Sequence, residues 1–283
     1  MTSQTKIGLA LGGGAARGLA HIVVLEAFDQ LGVKSDFIAG CSIGALFGAA
    51  YASGLSAAEI REHALSVLGT PGKAARQLFW PSGDRQTSKP FNFSFSKPIS
   101  LNGLGLVQLV SPPGMAKNVE DTKIPLVIST TDFYAASEVT IDAGDLKMAV
   151  AASIAIPGLI SAPKLGGRVL VDGAYTNPVP MDQVRRNGCG LLIAVDVTGN
   201  PQPQKSTADP GPTELILGST QILQKQITKL QSGFAKPDIL IAPKIDGFGA
   251  HDFLRIKEIL MAADPEREHL KRRLDEMLTS IYG

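Results

Sequence analysis

The sequence predicts an α/β fold, a mainly parallel sheet covered by helices on both faces. Three observations carry this. Short apolar runs such as Lys6–Leu11 (KIGLAL), Ile124–Thr131 (IPLVISTT) and Gly190–Val197 (GLLIAVDV) have the length and near-continuous hydrophobicity of strands buried on both faces. Segments with apolar residues at helical spacing alternate with them, and that alternation is the mark of a parallel sheet with helices on each side. The composition is charge-poor: 19% of the 283 residues are charged, 44% are hydrophobic and 30 are glycine. A soluble domain usually carries about 25% charged residues, so a large buried core is expected.

In chain order, the glycine-rich turn Leu11–Gly18 follows the first strand, and Gly18–Leu31 shows helical spacing through Leu19, Ile22, Val23, Leu25, Ala27 and Phe28. Phe37–Cys41 reads as a second strand and Ile43–Ser53 as a second helix. Ser56 and Glu59 form a capping-box pattern, which predicts a further helix to about Leu68. Gly69–Asn118 reads as an irregular insertion. Regular structure returns with the strand Ile124–Thr131, a strand at Ser137–Ile141, a helix over Asp145–Ile154 that stops before Pro157, and a strand over Arg168–Val171 leading into Asp172-Gly173. Met181–Asn187 is a short helix, Gly190–Val197 a strand, and Gly199–Pro212 a mobile Pro-rich polar loop. An amphipathic helix over Glu214–Gln231, a strand over Asp238–Ala242 and two closing helices, Phe253–Ala263 and Pro265–Ile281, complete the reading. The expected organisation is a single domain over residues 1–283, with the insertion at 69–118 and the loop at 199–212.

Composition excludes several classes. A formal net charge of +1 removes the whole-chain electrostatic case for nucleic-acid binding. Cys41 and Cys189 offer neither a disulfide framework nor a metal-binding CxxC, which fits a reduced, cytoplasmic protein. MTSQTK at the start lacks signal-peptide architecture. Ile38–Ala58 carries no charge and imitates a membrane span, but Gly40, Gly44, Gly48 and Gly54 and its strand-like start favour a strand end followed by a buried helix.

Gly40-Cys41-Ser42-Ile43-Gly44 fits G-x-S-x-G between a strand and an uncharged helix. A nucleophile on so sharp a turn needs strained backbone angles, and neighbours without a Cβ let the turn close. Gly12-Gly13-Gly14 exposes backbone N–H groups of the kind that stabilise an oxyanion, with Arg17 either adding positive potential or bracing the loop. The loop misses G-x-G-x-x-G in both frames and lacks the GK[ST] of a phosphate loop. The base is open between two candidates: His251, the one late loop histidine, and Asp172, at a strand end before Gly173 and Ala174. His21 reads as a packing residue beside the glycine loop, and His63 and His269 as solvated helix residues.

Three blocks, Gly12–Gly18 with Ala20-His21, Gly40–Gly44, and Asp172-Gly173-Ala174, resemble in order and spacing those of the patatin-like phospholipases, the bacterial branch most closely. The similarity extends to Ala152-Ser153 with Pro157, to Asn177-Pro178-Val179-Pro180 and to Phe248–Phe253. It implies a three-layer α/β/α sandwich with a mainly parallel central sheet. It also implies a Ser–Asp dyad with no catalytic histidine: Ser42 as nucleophile, Asp172 as general base, Gly12, Gly13 and Gly14 as the oxyanion hole, and Arg17 in or beside it. Gly40, Gly44 and Gly173 support the motifs. Cys41 departs from the family's more usual Thr and is expected to be a small buried filler. The resemblance implies a serine acyl hydrolase of lipid or other esters, without cofactor or metal. A scaffold protein with little turnover is the contrasting reading.

Gly69–Asn118 concentrates six basic residues against Asp84, together with Phe79, Trp80, Phe91, Phe93 and Phe95. Packing of these aromatics is favoured over membrane contact, but any peripheral lipid contact is expected here.

Overall fold

The computed structural model describes residues 5–69, 101–202 and 209–282. Their strands form one eight-stranded sheet. Its parallel centre runs in the spatial order β3 (Leu126–Asp132), β2 (Phe37–Cys41), β1 (Ile7–Leu11), β7 (Leu191–Val195), β8 (Ile239–Ile241). β4 (Ser137–Ile141) and β6 (Arg168–Asp172) both lie antiparallel to β3, and the two-residue β5 (Lys164–Leu165) pairs with β6. The expected α/β class with a mainly parallel sheet is what the chain adopts.

The period of two along each strand sorts the core into two layers. Leu9, Leu11, Ile38, Leu126, Ile128, Ile193 and Val195 point to one face, where they meet α1 (His21–Leu31), α2 (Ile43–Ala52), α3 (Ala57–Leu68), α5 (Leu146–Ser153), α8 (Ile256–Ala263) and α9 (Pro265–Tyr282). Burying each such side chain contributes about 1.5–3 kcal/mol, so this thick layer holds most of the apolar stabilisation. The alternate positions, Ala10, Ala39, Val127, Leu192 and Ala194, are mostly small. Above them sits the short α6 (Met181–Arg186), whose Val184 approaches Gly8 so closely that a Cβ there would lie 2.1 Å from it. The long α7 (Pro212–Ala235) joins this second core through Ala235.

The uncharged run Ile38–Ala58 is divided between β2, the ten-residue buried α2 and the start of α3. Among the described residues no helix is long and apolar enough to cross a membrane. The capping box forms: Ser56 Oγ accepts from Glu59 N–H at 3.2 Å and Glu59 Oε2 from Ser56 N–H at 2.8 Å. Two boundaries shift. A 3-10 turn over Ala15–Ala20 precedes α1, where Gly18 is pressed against Ile43, and α7 extends to Ala235. The irregular reading of 69–118 is corrected for its described part. Gly103–Val110 is a helix, α4, capped by Asn102, whose side chain accepts from Gly105 N–H at 3.1 Å. Gly103 and Val107 are buried. Two glycines within eight residues, each costing about 1 kcal/mol against alanine, hide it from propensity. Phe79, Trp80, Phe91, Phe93 and Phe95 lie outside the described residues, as do 203–208 of the Pro-rich loop.

Candidate active site

The site is made by two strand ends that meet head-on. β2 pairs with β3 as far as Cys41 opposite Ser129. β6, running the other way, pairs with β3 from Leu170 opposite Asp132 to Asp172 opposite Thr130. β4 pairs with β3 across both stretches, so it occupies one edge of β3, and β2 and β6 share the other. Their C-terminal ends therefore abut, and the residues leaving them, Ser42 and Asp172, face each other.

Ser42 stands at φ 54° and ψ −123°, outside the regions that L-residues favour. Such a conformation costs about 1–3 kcal/mol and persists when its surroundings fix it. Several contacts do so. Ser42 N–H donates to Ser153 Oγ at 2.7 Å, and the Ser153 hydroxyl donates to Ser129 O at 2.7 Å, tying the elbow to β3. The Ser42 carbonyl accepts from Ala45 and Leu46 and starts α2. A Cβ on Gly40 would lie 2.7 Å from Ala45 Cα, and one on Gly44 2.2 Å from Leu11 O, so both flanking glycines are sterically required.

The Ser42 hydroxyl donates to Asp172 Oδ2 at 2.7 Å. Asp172 Oδ1 accepts from Ala174 N–H at 2.9 Å. Gly173 lets this turn close, since a Cβ there would stand 2.2 Å from Ser129 O. Both side chains are buried, 5% exposed at Ser42 and 3% at Asp172. Burial pushes the Asp172 pKa up to about 6, against the pull of the Ala174 N–H and the Ser42 hydroxyl. A carboxylate poised there can take a proton from a hydroxyl near neutral pH.

The glycine loop lies against Ser42. A Cβ on Gly13 would stand 3.3 Å from Ser42 Cβ. Two of its amides are already engaged, Gly12 N–H with Val195 O at 3.0 Å and Gly13 N–H with Pro178 O at 2.9 Å. Gly14 N–H has no acceptor among the described residues. Arg17, open between two readings in the sequence, takes the bracing one: its Nε donates to Val197 O at 3.3 Å and its Nη1 to Phe248 O at 3.0 Å.

His21 is fully buried, and its Nε2 lies 2.8 Å from Gly12 O. Burial pushes its pKa down to about 4, so the ring is neutral and its Nε2–H donates to that carbonyl. His251 is exposed and lies 3.9 Å from Asp252. His63 sits on α3, and His269 on α9 beside Glu266. The hydroxyl of Ser42 has Asp172, not an imidazole, as its hydrogen-bond partner among the described residues. Cys41 is fully buried, and burial followed by the charges of Asp172 and Glu138 pushes its thiol pKa well up, as suits a filler. Cys189 is buried between α6 and β7.

Sequence reasoning missed the roles of Ser153, Pro178 and His21. Each acts on or through a backbone atom, far away in the chain for Ser153 and Pro178 and nine residues back for His21, and the signal was confined to their place in short motifs.

Residues 9–185, more than half of the chain, match the family described as patatin-like phospholipase. An uncharacterized NTE family protein of Mycobacterium tuberculosis is 31% identical over 212 residues, covering 75% of this chain and 54% of its own length. Patatin-like phospholipase domain-containing protein 6 of Homo sapiens is 33% identical over 217 residues, 73% of this chain and 14% of its own. Lysophospholipase NTE1 of Cryptococcus neoformans is 31% identical over 195 residues, 68% of this chain and 11% of its own. The chain thus spans about half the length of the first relative and a small part of the other two. With a strand-end serine and an opposed strand-end aspartate held as described, the chain belongs to the patatin-like phospholipase family.

Proposed function

We propose that this chain is a serine acyl hydrolase that cleaves lipid acyl esters through an acyl-enzyme on Ser42. The observation that carries the reading is the 2.7 Å hydrogen bond from the Ser42 hydroxyl to the buried Asp172 carboxylate. Asp172 takes the hydroxyl proton as Ser42 Oγ attacks the ester carbonyl. The C–O bond to the leaving alcohol then breaks, and the alcohol receives that proton from Asp172. Water, deprotonated by Asp172 in turn, attacks the acyl-enzyme and releases the fatty acid with Ser42 restored. The oxyanion is assigned to the glycine loop, with the Gly14 amide as its foremost donor, because the Gly12 and Gly13 amides hold carbonyls of the fold. In this reading His21 and Pro178 orient the loop and Arg17 anchors it.

The lysophospholipase relative supports a lipid ester as substrate. The assembled dyad favours turnover over a scaffold role, and the exposure of His251 favours Asp172 as base. Fluorophosphonate labelling with mass-spectrometric identification of the modified residue tests the reading. Ser42 is expected to carry the label, and Ser42→Ala to lose both label and ester turnover. Full labelling of Ser42→Ala overturns the nucleophile. Turnover that survives Asp172→Asn and vanishes in His251→Ala overturns the dyad.

A further inference from the structure

α7 is turned inside out. An amphipathic helix beside a sheet buries its apolar stripe and shows water its polar one. The inward side of α7 is instead polar. Gln221 Nε2 donates to Thr198 O at 2.8 Å, Gln231 Nε2 to Thr176 O at 3.5 Å, Lys225 pairs with Asp196 at 3.4 Å, and Thr228 is buried. The apolar residues face out: Ile216 is 67% exposed, Leu223 64%, Leu230 66% and Phe234 88%. Their spacing keeps them on one side of the helix for about 27 Å at 1.5 Å per residue. Leu215 and Ile222 widen the stripe. A contiguous exposed apolar surface of this kind marks an interaction site.

Charge and position identify the occupant. Lys225 is turned inward to Asp196 and Glu214 stands in the first turn, so the charges beside the outward stripe are Lys229 and, at the C-cap, Lys236, with no carboxylate from Leu215 onward. Apolar residues with lysines beside them are the recognition chemistry of an anionic bilayer surface. The helix also borders the site. It packs on Gly173–Tyr175, the turn leaving Asp172, with Thr220 beside Tyr175.

We infer that the outward stripe of α7 is a docking surface for an anionic lipid bilayer, which brings the membrane alongside the Ser42–Asp172 site. The inference stands on helix polarity and charge, and it adds to the hydrolase reading a route by which lipid reaches the site. The lipid contact expected at 69–118 falls largely outside the described residues, and the α7 surface is proposed in addition to it.

The test is co-sedimentation of the full chain with phosphatidylcholine vesicles, with and without phosphatidylglycerol. The unmodified chain is expected to sediment with the anionic vesicles and less with the neutral ones. In the triple variant Leu223→Gln, Leu230→Gln, Phe234→Gln, anionic-vesicle partitioning is expected to fall about tenfold or more, because membrane binding scales with buried apolar area. Its turnover of a water-soluble short-chain ester is expected to stay unchanged, since these side chains lie outside the site. Equal partitioning of variant and unmodified chain overturns the inference, as does failure of the unmodified chain to sediment. A dimer in light scattering that the triple variant converts to monomer also overturns it, by making a second copy the occupant. Vesicle binding without ester turnover removes the hydrolase reading and leaves the docking surface standing. Ester turnover without vesicle binding does the reverse.

Discussion

Asp172 couples the chemistry of the site to the stability of the fold. Its pKa is about 6 in the folded chain, raised chiefly by burial, and about 3.9 when unfolded. Below a pH of about 4 the carboxyl is protonated in both states. As pH rises through 6 the folded chain must hold a buried anion that the unfolded chain holds in water, so stability falls. Two pKa units at 1.36 kcal/mol each set this loss at up to about 3 kcal/mol. Asp172→Asn is therefore expected to melt above the unmodified chain at pH 8 and level with it near pH 4; equal melting at both would contradict the burial argument. In the proposed mechanism activity runs the other way, because Asp172 would act as an ionised base: kcat/KM should rise with pH and level off above 6. Ser153 is a positioning residue, holding Ser42 N–H at 2.7 Å. Ser153→Ala leaves that buried donor unpaired at a cost of about 1–3 kcal/mol. The variant should lower kcat on a soluble ester with KM little changed, and Ser153→Thr should recover part of it. Ser42 was legible in the sequence because motif and strand-end context coincide there, whereas Asp172 stood beside His251 as one of two candidate bases until the family resemblance singled it out. Ser153 was not legible, because its partner lies 111 residues away and is a backbone amide.

At the scale of elements, what was legible was whatever a single period could encode. β1, β2 and β7 are near-continuous apolar runs and β3 opens with one, Leu126–Ile128, and their strand character needed no tertiary information. The direction of β6 was not legible, because RVLVD reads the same in a parallel or an antiparallel strand, yet that direction is what brings Asp172 to Ser42. The period of α7 was readable, but its facing was not, since the usual rule puts the apolar stripe inward. α2 offers a test of how tightly the elbow is set. Gly44→Ala would place a Cβ 2.2 Å from Leu11 O and 2.7 Å from Gly12 O, both backbone atoms that cannot turn aside. The helix must then retreat from β1, at a cost of about 1–3 kcal/mol or more. Gly48→Ala, four residues on, meets only side chains, Ile38 Cγ2 at 3.1 Å and Leu11 Cδ1 at 3.4 Å, and gains helix propensity. Denaturation midpoints should fall clearly for Gly44→Ala and change little for Gly48→Ala. Equal midpoints would mean that the close approach of α2 to the glycine loop is not what holds the elbow.

For the whole molecule, the question is whether the first two thirds of the chain, which holds the candidate site, stands alone. Ser42, Asp172 and the glycine loop all precede Arg186, the last residue of α6, so a chain ending there contains every residue assigned to the chemistry. The packing argues that such a chain does not fold. β7 fills the edge of β1 and accepts Gly12 N–H through Val195 O. Removing it opens an edge in the middle of the sheet, a row of unpaired backbone groups on a fully buried strand. Arg17 loses both of its carbonyl partners, Val197 and Phe248, and with them the anchor of the loop. α9 buries Leu270 and Leu274 completely and ties Arg267 to Glu26 of α1 at 2.8 Å, while Arg61 of α3 joins the same carboxylate. Its loss exposes the outer side of α1. We therefore expect the 283 residues to fold as one cooperative unit and residues 1–186 to lack a cooperative thermal transition and fluorophosphonate reactivity. A sharp melt together with labelling of Ser42 in the shortened chain would show instead that residues 1–186 are a domain, and that β7 only extends it.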